Sequence, residues 1–431
     1  MNFYRDIPQL TEACYRCLEA NEVIGNRWNK PYHFYRPSLT KYSASQWLWD
    51  SGWHMIVWSH RQPQNAIAEL RSLLQFQQPN GFIPQVIFWK SSRCLQVIRR
   101  RFLKYPHKEY TPLTQMPMLA YSIRALWNAT QDRELLKEFV PRIVKYLEWW
   151  ESRDHDKDGL VSIIHPWESG IDASPTYDLA FSLYKPKWYQ IYSHFFKLYH
   201  IYRGLNWNEK AMLRGEWFNV EDVGLCSVYA DGWGVLASLA QEFDSELTTR
   251  CQQRHKKYQD AIIYKCWNEE RGQFVSYFHK DRKEKALFAE TVQTLLPILL
   301  DDLPEDIKLR LVSKMSNPEK FGLPYPVPSV AKSEVAFNPH KSRILWRGPM
   351  WPSTTWLVME GLLKHGFRNE AEAILDRWIE MYLRHGIYEY YNPISGQGSG
   401  QKCLGMSTII VDMLHRVKVD RNSYTHNKNG H

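Results

Sequence analysis

The sequence predicts an all-α protein built from helical hairpins, and three observations carry that expectation. Apolar residues recur at helical spacing in about a dozen segments, β-type alternation is short and rare, and the helical segments are joined by loops rich in Gly, Pro and Trp. With 44% hydrophobic residues, a chain of 431 can bury a large core.

The first helix is marked by Leu10, Ala13, Cys14, Cys17 and Leu18 on one face, with Pro8 where a first turn tolerates it. The same period predicts helices over 46–60, 63–78, 113–129, 133–153, 187–203, 222–243, 245–267, 286–300, 304–316, 352–365, 368–385 and 404–416. Strand-like alternation is confined to stretches such as 160–164 and 273–278. Helices pair in sequence, 46–60 with 63–78 and 352–365 with 368–385, while the loops between pairs are longer and hold the unusual residues. Such hairpins pack as a bundle, a solenoid or a closed toroid, and in a toroid the loops gather at one end, the usual place for function. No linker or composition break interrupts the chain, so residues 1–431 read as one domain.

Composition narrows the partners. The formal charge is +9, but 55 basic residues are spread among 46 acidic ones, and nucleic acid is not the expected partner. The exception is 90–108, where Arg93, Arg99, Arg100, Arg101 and Lys104 form either a solvated face or a lid that attracts an anionic substrate. The opening residues lack a basic segment followed by an apolar run, and no window has the ~18 uninterrupted apolar residues of a membrane span, so a cytoplasmic protein that does not cross a membrane is expected. Seven scattered cysteines read as reduced core thiols, Cys14-x-x-Cys17 included, since no second pair follows it. Nineteen Trp and 25 Tyr are the stronger signal, because sugar rings stack their C–H faces on flat side chains, although aromatics also fill helical cores.

Seven short stretches could carry chemistry. Gln46-Trp47-Leu48-Trp49-Asp50-Ser51-Gly52-Trp53 sets three indoles and a carboxylate at a helix start, where Asp50 either caps the helix or grips hydroxyls. Asn80-Gly81-Phe82-Ile83-Pro84 is a turn, and Gln115 stands where the next helix opens, to bind a hydroxyl or satisfy backbone groups. Asp154-x-Asp156-x-Asp158-Gly159 matches the first half of a calcium loop, but His165 stands where a bidentate Glu is needed, so a polar turn is expected and no metal. In Trp167-Glu168-Ser169-Gly170-Ile171-Asp172, an acidic group against an indole would keep its proton to higher pH, as a general acid must. Glu168 and Asp172 compete for that role. Trp346-Arg347-Gly348-Pro349-Met350-Trp351 offers two indoles and a guanidinium that could hold a carboxylate or an anionic aglycone. Glu389 lies between Tyr388 and Tyr390, and the Gly396, Gly398 and Gly400 that follow read as a mobile loop.

The ordered set of Trp-Asp-Ser, Asn-Gly-x-Ile-Pro, Gln-x-Pro, Trp-Glu-Ser-Gly-x-Asp, Trp-Arg-Gly-Pro-x-Trp and Glu-Tyr-Tyr-Asn-Pro resembles glycoside hydrolase family 63 over about residues 45–415. The resemblance implies an (α/α)6 toroid and inverting hydrolysis of α-glucosides or α-mannosides, with Asp172 as general acid and Glu389 as general base. It leaves Glu168 as a neighbour that positions the loop or binds substrate. It also implies a pocket holding Trp49, Asp50, Gln115, Gly170, Trp346 and Arg347, to which Trp47, Trp53, Trp167 and Trp351 belong by position. The chain is most similar to the short bacterial hydrolases of mannosylglycerate and glucosylglycerate, with two departures that bear on the aglycone: Leu345 before Trp346, and Met406 in Gly405-Met406-Ser407. The expected partner is a small carbohydrate, and no cofactor is expected. An oligosaccharide α-glucosidase and a non-catalytic sugar-binding protein are the alternatives, and a sugar epimerase or lyase would need His165 or His340 as proton shuttle.

Overall fold

The computed structural model describes residues 5–40, 44–340 and 344–417. It is mainly helical. In chain order the helices are α1 (Ile7–Ala20), α2 (Leu48–Ser59), α3 (Pro63–Leu74), α4 (Arg93–Val97), α5 (Leu119–Thr130), α6 (Arg133–Trp150), α7 (Trp188–Gly204), α8 (Glu209–Arg214), α9 (Val223–Ala240), α10 (Ser245–Ala261), α11 (Glu305–Ser316), α12 (Pro352–Lys364) and α13 (Arg368–His385). Gly405–Ile409 is a tight turn that runs on as helix through 417.

Polar caps start these helices where the sequence supplies them. Asp6, Asp132, Asn208, Asp222 and Asp244 each accept a backbone N–H of the first turn, satisfying a donor the helix itself cannot. At the other end of α13, Gly386 takes φ +87° and turns the chain out of the helix.

Burial sorts the helices into two classes. Every residue of α2 is buried, as are most of α9 and α12, whereas α6, α10 and α13 bury one face only. Among the buried elements, α2 packs on α5, α5 on α9, α9 on Leu296–Leu299, that segment on α12, and both α12 and α2 on Gly405–Ile409. The one-sided helices back them: α3 on α2, α6 on α5, α10 on α9 and α13 on α12. α9 is long and apolar enough to cross a membrane, but it is buried among α5, α6 and α10.

Strands are short. β1 (Glu22–Arg27) and β2 (Lys30–Tyr35) form a hairpin turned by Trp28 and Asn29, both at positive φ. β3 (Gln46–Trp47) pairs with β4 (Val86–Ile87); β5 (Asn219–Glu221) joins the antiparallel pair β8 (Ser276–Lys280) and β9 (Lys283–Leu287); β6 (Trp267–Asn268) pairs with β7 (Gln273–Phe274), and β10 (Tyr388–Tyr391) with β11 (Gly398–Lys402).

Two expectations need correction, and one element is new. The helix expected over 286–300 is instead two tight turns, Val292–Thr294 and Leu296–Leu299, because Pro297 interrupts it and Thr291 is drawn into a β-bridge with Val330. The hairpin over 22–35 was not anticipated. Residues 160–164 form no strand, only a bridge from Ile163 to Val220.

Candidate active site

The expected residues lie where chain segments enter the buried helices. β3 pairs with β4 through Gln46–Ile87 and Trp47–Val86, fixing the approach to α2. The α2 N-cap is Trp47, so Asp50 does not cap; it is the third helical residue. Burial pushes the Asp50 carboxyl up to about 6; His54 pulls it down, and the nearby Glu389 and Glu69 push it further up. Gln115 Oε1 accepts the backbone N–H of Trp49 at 3.1 Å, tying the approach to α5 onto the first turn of α2.

The loop over 165–178 is strapped from several sides. Gly170 has φ +73°, and a Cβ there would stand 2.8 Å from the Trp49 ring, so only glycine lets the loop lie against that indole. Ser169 Oγ donates to Pro166 O at 2.7 Å and accepts Ile171 N–H at 3.0 Å. Arg347 Nε donates to Ala173 O at 2.8 Å, and its two terminal nitrogens grip Asp178 at 2.7 and 2.6 Å. Asp172, half-buried, follows Gly170 and Ile171 in this strapped stretch.

The third and fourth walls come from late in the chain. Trp346, at φ +64°, stacks on Trp351 with centroids 3.8 Å apart; it also meets Trp49 at 6.4 Å, while Trp351 meets Tyr390 at 5.0 Å. Met350 and Tyr391 exchange both backbone hydrogen bonds, 2.8 and 3.0 Å, locking that segment to β10. Glu389 is buried in β10, and its Oε2 accepts the backbone N–H of Gln401 at 2.9 Å. Tyr192 of α7 joins the walls: burial pushes its hydroxyl up to about 12, and the charges of Asp172 and Tyr390 act in the same direction.

Of the expected residues, Trp49, Asp50, Gln115, Gly170, Asp172, Trp346, Arg347, Trp351 and Glu389 are thus joined by direct contacts or by charge. Trp47 and Trp167 are half-buried at the margin, Trp167 against His165, Phe195 and Tyr199. Trp53 and Glu168 have no exposed surface. Trp53 packs beneath Trp49 and against Trp356, while Glu168 is gripped by both terminal nitrogens of Arg153 at 3.2 Å and by the Ile164 N–H at 2.8 Å. Arg347 is spent on Asp178 and Ala173, so of its two sequence readings the carboxylate-holding one matches the geometry.

The glycine run is the clearest correction. It forms no mobile loop from Gly398 onward; Gly398 and Gly400 lie in β11, where the Tyr388 and Glu389 side chains cross the strand's bare backbone. Asp178 and Tyr192 carry no signal in the sequence, because a carboxylate in a turn and a tyrosine in an aromatic-rich helix look like ordinary surface and core. The 90–108 segment folds on itself: Arg99 donates to Ser91 Oγ at 2.7 Å and covers Phe88, and Arg100 bonds Pro106 O. The Arg93 side chain lies outside the described residues. The acids of 154–158 do form a polar turn, with Asp154 accepting Gly159 N–H; Asp156 and Asp158 gather with Glu221, Glu284 and His279 around Lys265. His165 is fully buried and His340 exposed, and no contact joins them as a proton-shuttle pair.

Residues 42–407 match the family model described as the mannosylglycerate hydrolase MGH1-like glycoside hydrolase domain. A mannosylglycerate hydrolase of Thermus thermophilus is 28% identical over 391 residues, covering 82% of this chain and 90% of that protein. A glucosylglycerate hydrolase of Mycolicibacterium hassiacum is 23% identical over 414 residues, 82% of this chain and 88% of that one. Among solved structures, a family 63 mannosylglycerate hydrolase from Thermus thermophilus in complex with Tris and D-glycerate superposes with a TM-score of 0.81 at 25% identity, covering 94% of this chain and all of that one.

Proposed function

Because the chain belongs to the MGH1-like glycoside hydrolase family and is a glycoside hydrolase of the short family 63 type, we propose that it cleaves a small α-glucoside or α-mannoside of glycerate with inversion. Asp172 gives its proton to the glycosidic oxygen as the bond breaks. Glu389 takes a proton from the water that attacks the anomeric carbon from the opposite face. For that water to fit, the two carboxyl groups should stand ~6.5–9.5 Å apart.

The observation that carries this reading is the convergence of two far-separated segments. Asp172 and Tyr390 both bear on Tyr192, and Glu389 bears on Asp50, so the two carboxylates share one neighbourhood lined by Trp49, Trp346 and Trp351. Asp50 and these rings serve as the sugar-binding surface. Glu168 positions the loop through Arg153, and Arg347 positions it through Ala173 and Asp178. Support for the substrate comes from the names of the relatives, mannosylglycerate and glucosylglycerate hydrolases.

In the same reading the helices form an (α/α)6 toroid within one domain. The order of contacts from α2 through α5, α9, Leu296–Leu299 and α12 to Gly405–Ile409 and back to α2 supports closure, with tight turns in the fourth inner place.

The test is to incubate the protein with α-glucosides and α-mannosides, glycerate conjugates included, and to follow the first-formed sugar by NMR. A β-anomer appearing first is expected. A first-formed α-anomer sinks inversion, and no turnover of any glycerate conjugate sinks the substrate class.

A further inference from the structure

Two surface segments are set apart by their charge. Residues 90–108 hold seven Lys and Arg and no Asp or Glu, and residues 179–208 hold four and none. In a chain of 55 basic and 46 acidic residues, such acid-free stretches concentrate positive charge on whatever face they share. The fold puts them side by side. Arg203 Nη1 of α7 donates to Phe102 O at 3.0 Å, Trp207 Nε1 donates to Leu103 O at 2.9 Å, and the Tyr105 and Tyr199 hydroxyls are hydrogen-bonded.

The joined face is also apolar where it meets water. Leu95, Val97, Ile98 and Phe102 are exposed, and no residue of 98–102 is buried, so this stretch rests on the surface with no side chain in the core. Leu95, Ile98 and Phe102 follow one another at helical spacing on one side. On α7, Tyr189, Phe196 and Arg203 recur every seventh residue, which puts the first two on the face whose guanidinium reaches Phe102. Nine of the seventeen large apolar side chains exposed among the described residues lie on these two segments, which are 19 and 30 residues of 431. Arg101 and Lys104 are exposed among them. On the Lys197 side of α7, Glu216 and Asp281 line the adjoining hollow, so the cationic surface is the one that Arg203 and the 93–104 segment form.

Cations beside exposed aliphatic and aromatic side chains match the boundary between lipid headgroups and acyl chains. There Lys and Arg meet phosphate, Trp and Tyr lie at headgroup depth, and aliphatic groups leave water. We propose that this face is a docking surface for anionic lipid, which holds the protein peripherally on a membrane. The aliphatic members decide between lipid and nucleic acid: Leu95, Val97 and Ile98 offer nothing to a phosphate backbone or a stacked base, whereas an acyl layer takes them out of water. α7 also carries Tyr192, so docking sets the candidate active site beside the lipid. The surface stands independently of the glycosidase reading.

The experiment mixes the full chain at ~0.1 M salt with vesicles of phosphatidylcholine containing about 30 mol% phosphatidylglycerol, and with phosphatidylcholine alone, and measures the sedimented fraction. Binding to the anionic vesicles only is expected. Arg101→Glu with Lys104→Glu should weaken it roughly 25-fold, each cation near such a surface being worth about fivefold. Phe102→Ser with Phe196→Ser should weaken it by at least about tenfold. Both variants keep the melting temperature, because all four side chains are exposed. No binding to the anionic vesicles overturns the proposal. So does binding that Phe102→Ser with Phe196→Ser leaves unchanged, which marks mere adsorption of charge, and so does tighter binding to single-stranded RNA than to the vesicles, which marks a nucleic-acid face.

Discussion

A methyl group at Gly400 would stand 2.5 Å from Oε2 of Glu389 and 2.7 Å from its Cβ. β11 therefore passes beneath the carboxyl as bare backbone, and the next residue, Gln401, points its amide at the same oxygen. An N–H aimed at a carboxylate oxygen helps to hold its rotamer. Five predictions rest on relationships of this kind.

Gly400→Ala should cost roughly 10²-fold in kcat, since displacing a reacting group by an ångström has effects of that order. The positive φ of +77° adds about 1 kcal/mol of destabilisation. Steady-state kinetics and a urea midpoint measure the two separately. Full activity in this variant would mean that Gly400 does not position Glu389.

Asp172→Asn and Glu168→Gln should fail in opposite ways. The first is expected to lower kcat by roughly 10²–10⁴-fold, the usual yield of a general acid, with an unchanged melting temperature. The second leaves the buried Arg153 without its main partner and should cost about 3–5 kcal/mol of stability, while the folded fraction keeps most of its activity. The reverse pattern would exchange the roles of these two carboxylates.

Arg347→Lys should loosen the loop that carries Asp172. Lysine cannot reproduce the two-pronged grip on Asp178 together with the bond to Ala173 O, so kcat is expected to fall about tenfold and KM to change less. Asp178→Asn, acting through the same grip, should give a similar split. A rise in KM alone would instead place Arg347 on the substrate.

Asp50 should make stability fall with rising pH between about 4 and 6. Its folded carboxyl is pushed up to about 6, above an unfolded value near 3.9, so the folded chain holds the proton longer. Ionisation in that window therefore favours unfolding, by on the order of 3 kcal/mol. Asp50→Asn removes this slope, and melting temperatures across pH 4–6 for both proteins check it.

His165 has the opposite sign. Burial lowers its imidazole to about 3, whereas the unfolded chain protonates near 6.5, so stability is lost as pH falls from about 6.5 toward 3, by on the order of 5 kcal/mol. The ring accepts Trp167 N–H through Nδ1 as the cap of the short turn at Pro166. His165→Asn keeps a cap acceptor but cannot take the proton. Its acid unfolding should therefore begin at lower pH, and unfolding at an unchanged pH would contradict the assignment.

Local pattern was sufficient wherever one face of a helix is buried, as in α6 and α13, because a 3.6-residue period is a one-dimensional signal. It misled at 286–300, where residues 292–300 are buried on all sides and the period carries no information, so that Pro297 is the one local sign of a break. It also misread Gly398 and Gly400. A glycine run in a strand and one in a loop are the same letters; what separates them is whether a neighbouring side chain needs the vacated space.

The sequence by itself determined the helical class, the ordered motifs and the short list of carboxylates, because periodicity, turn chemistry and residue type are written along the chain. Tertiary structure decided what each carboxylate faces. Glu168 and Asp172 differ little in sequence context, yet one is held by a buried guanidinium from the turn after α6 and the other stands half-buried beside Tyr192. Those partners lie outside the motif itself, Arg153 standing 15 residues from Glu168, and burial and opposing charge depend on distance in space, which residue order does not specify.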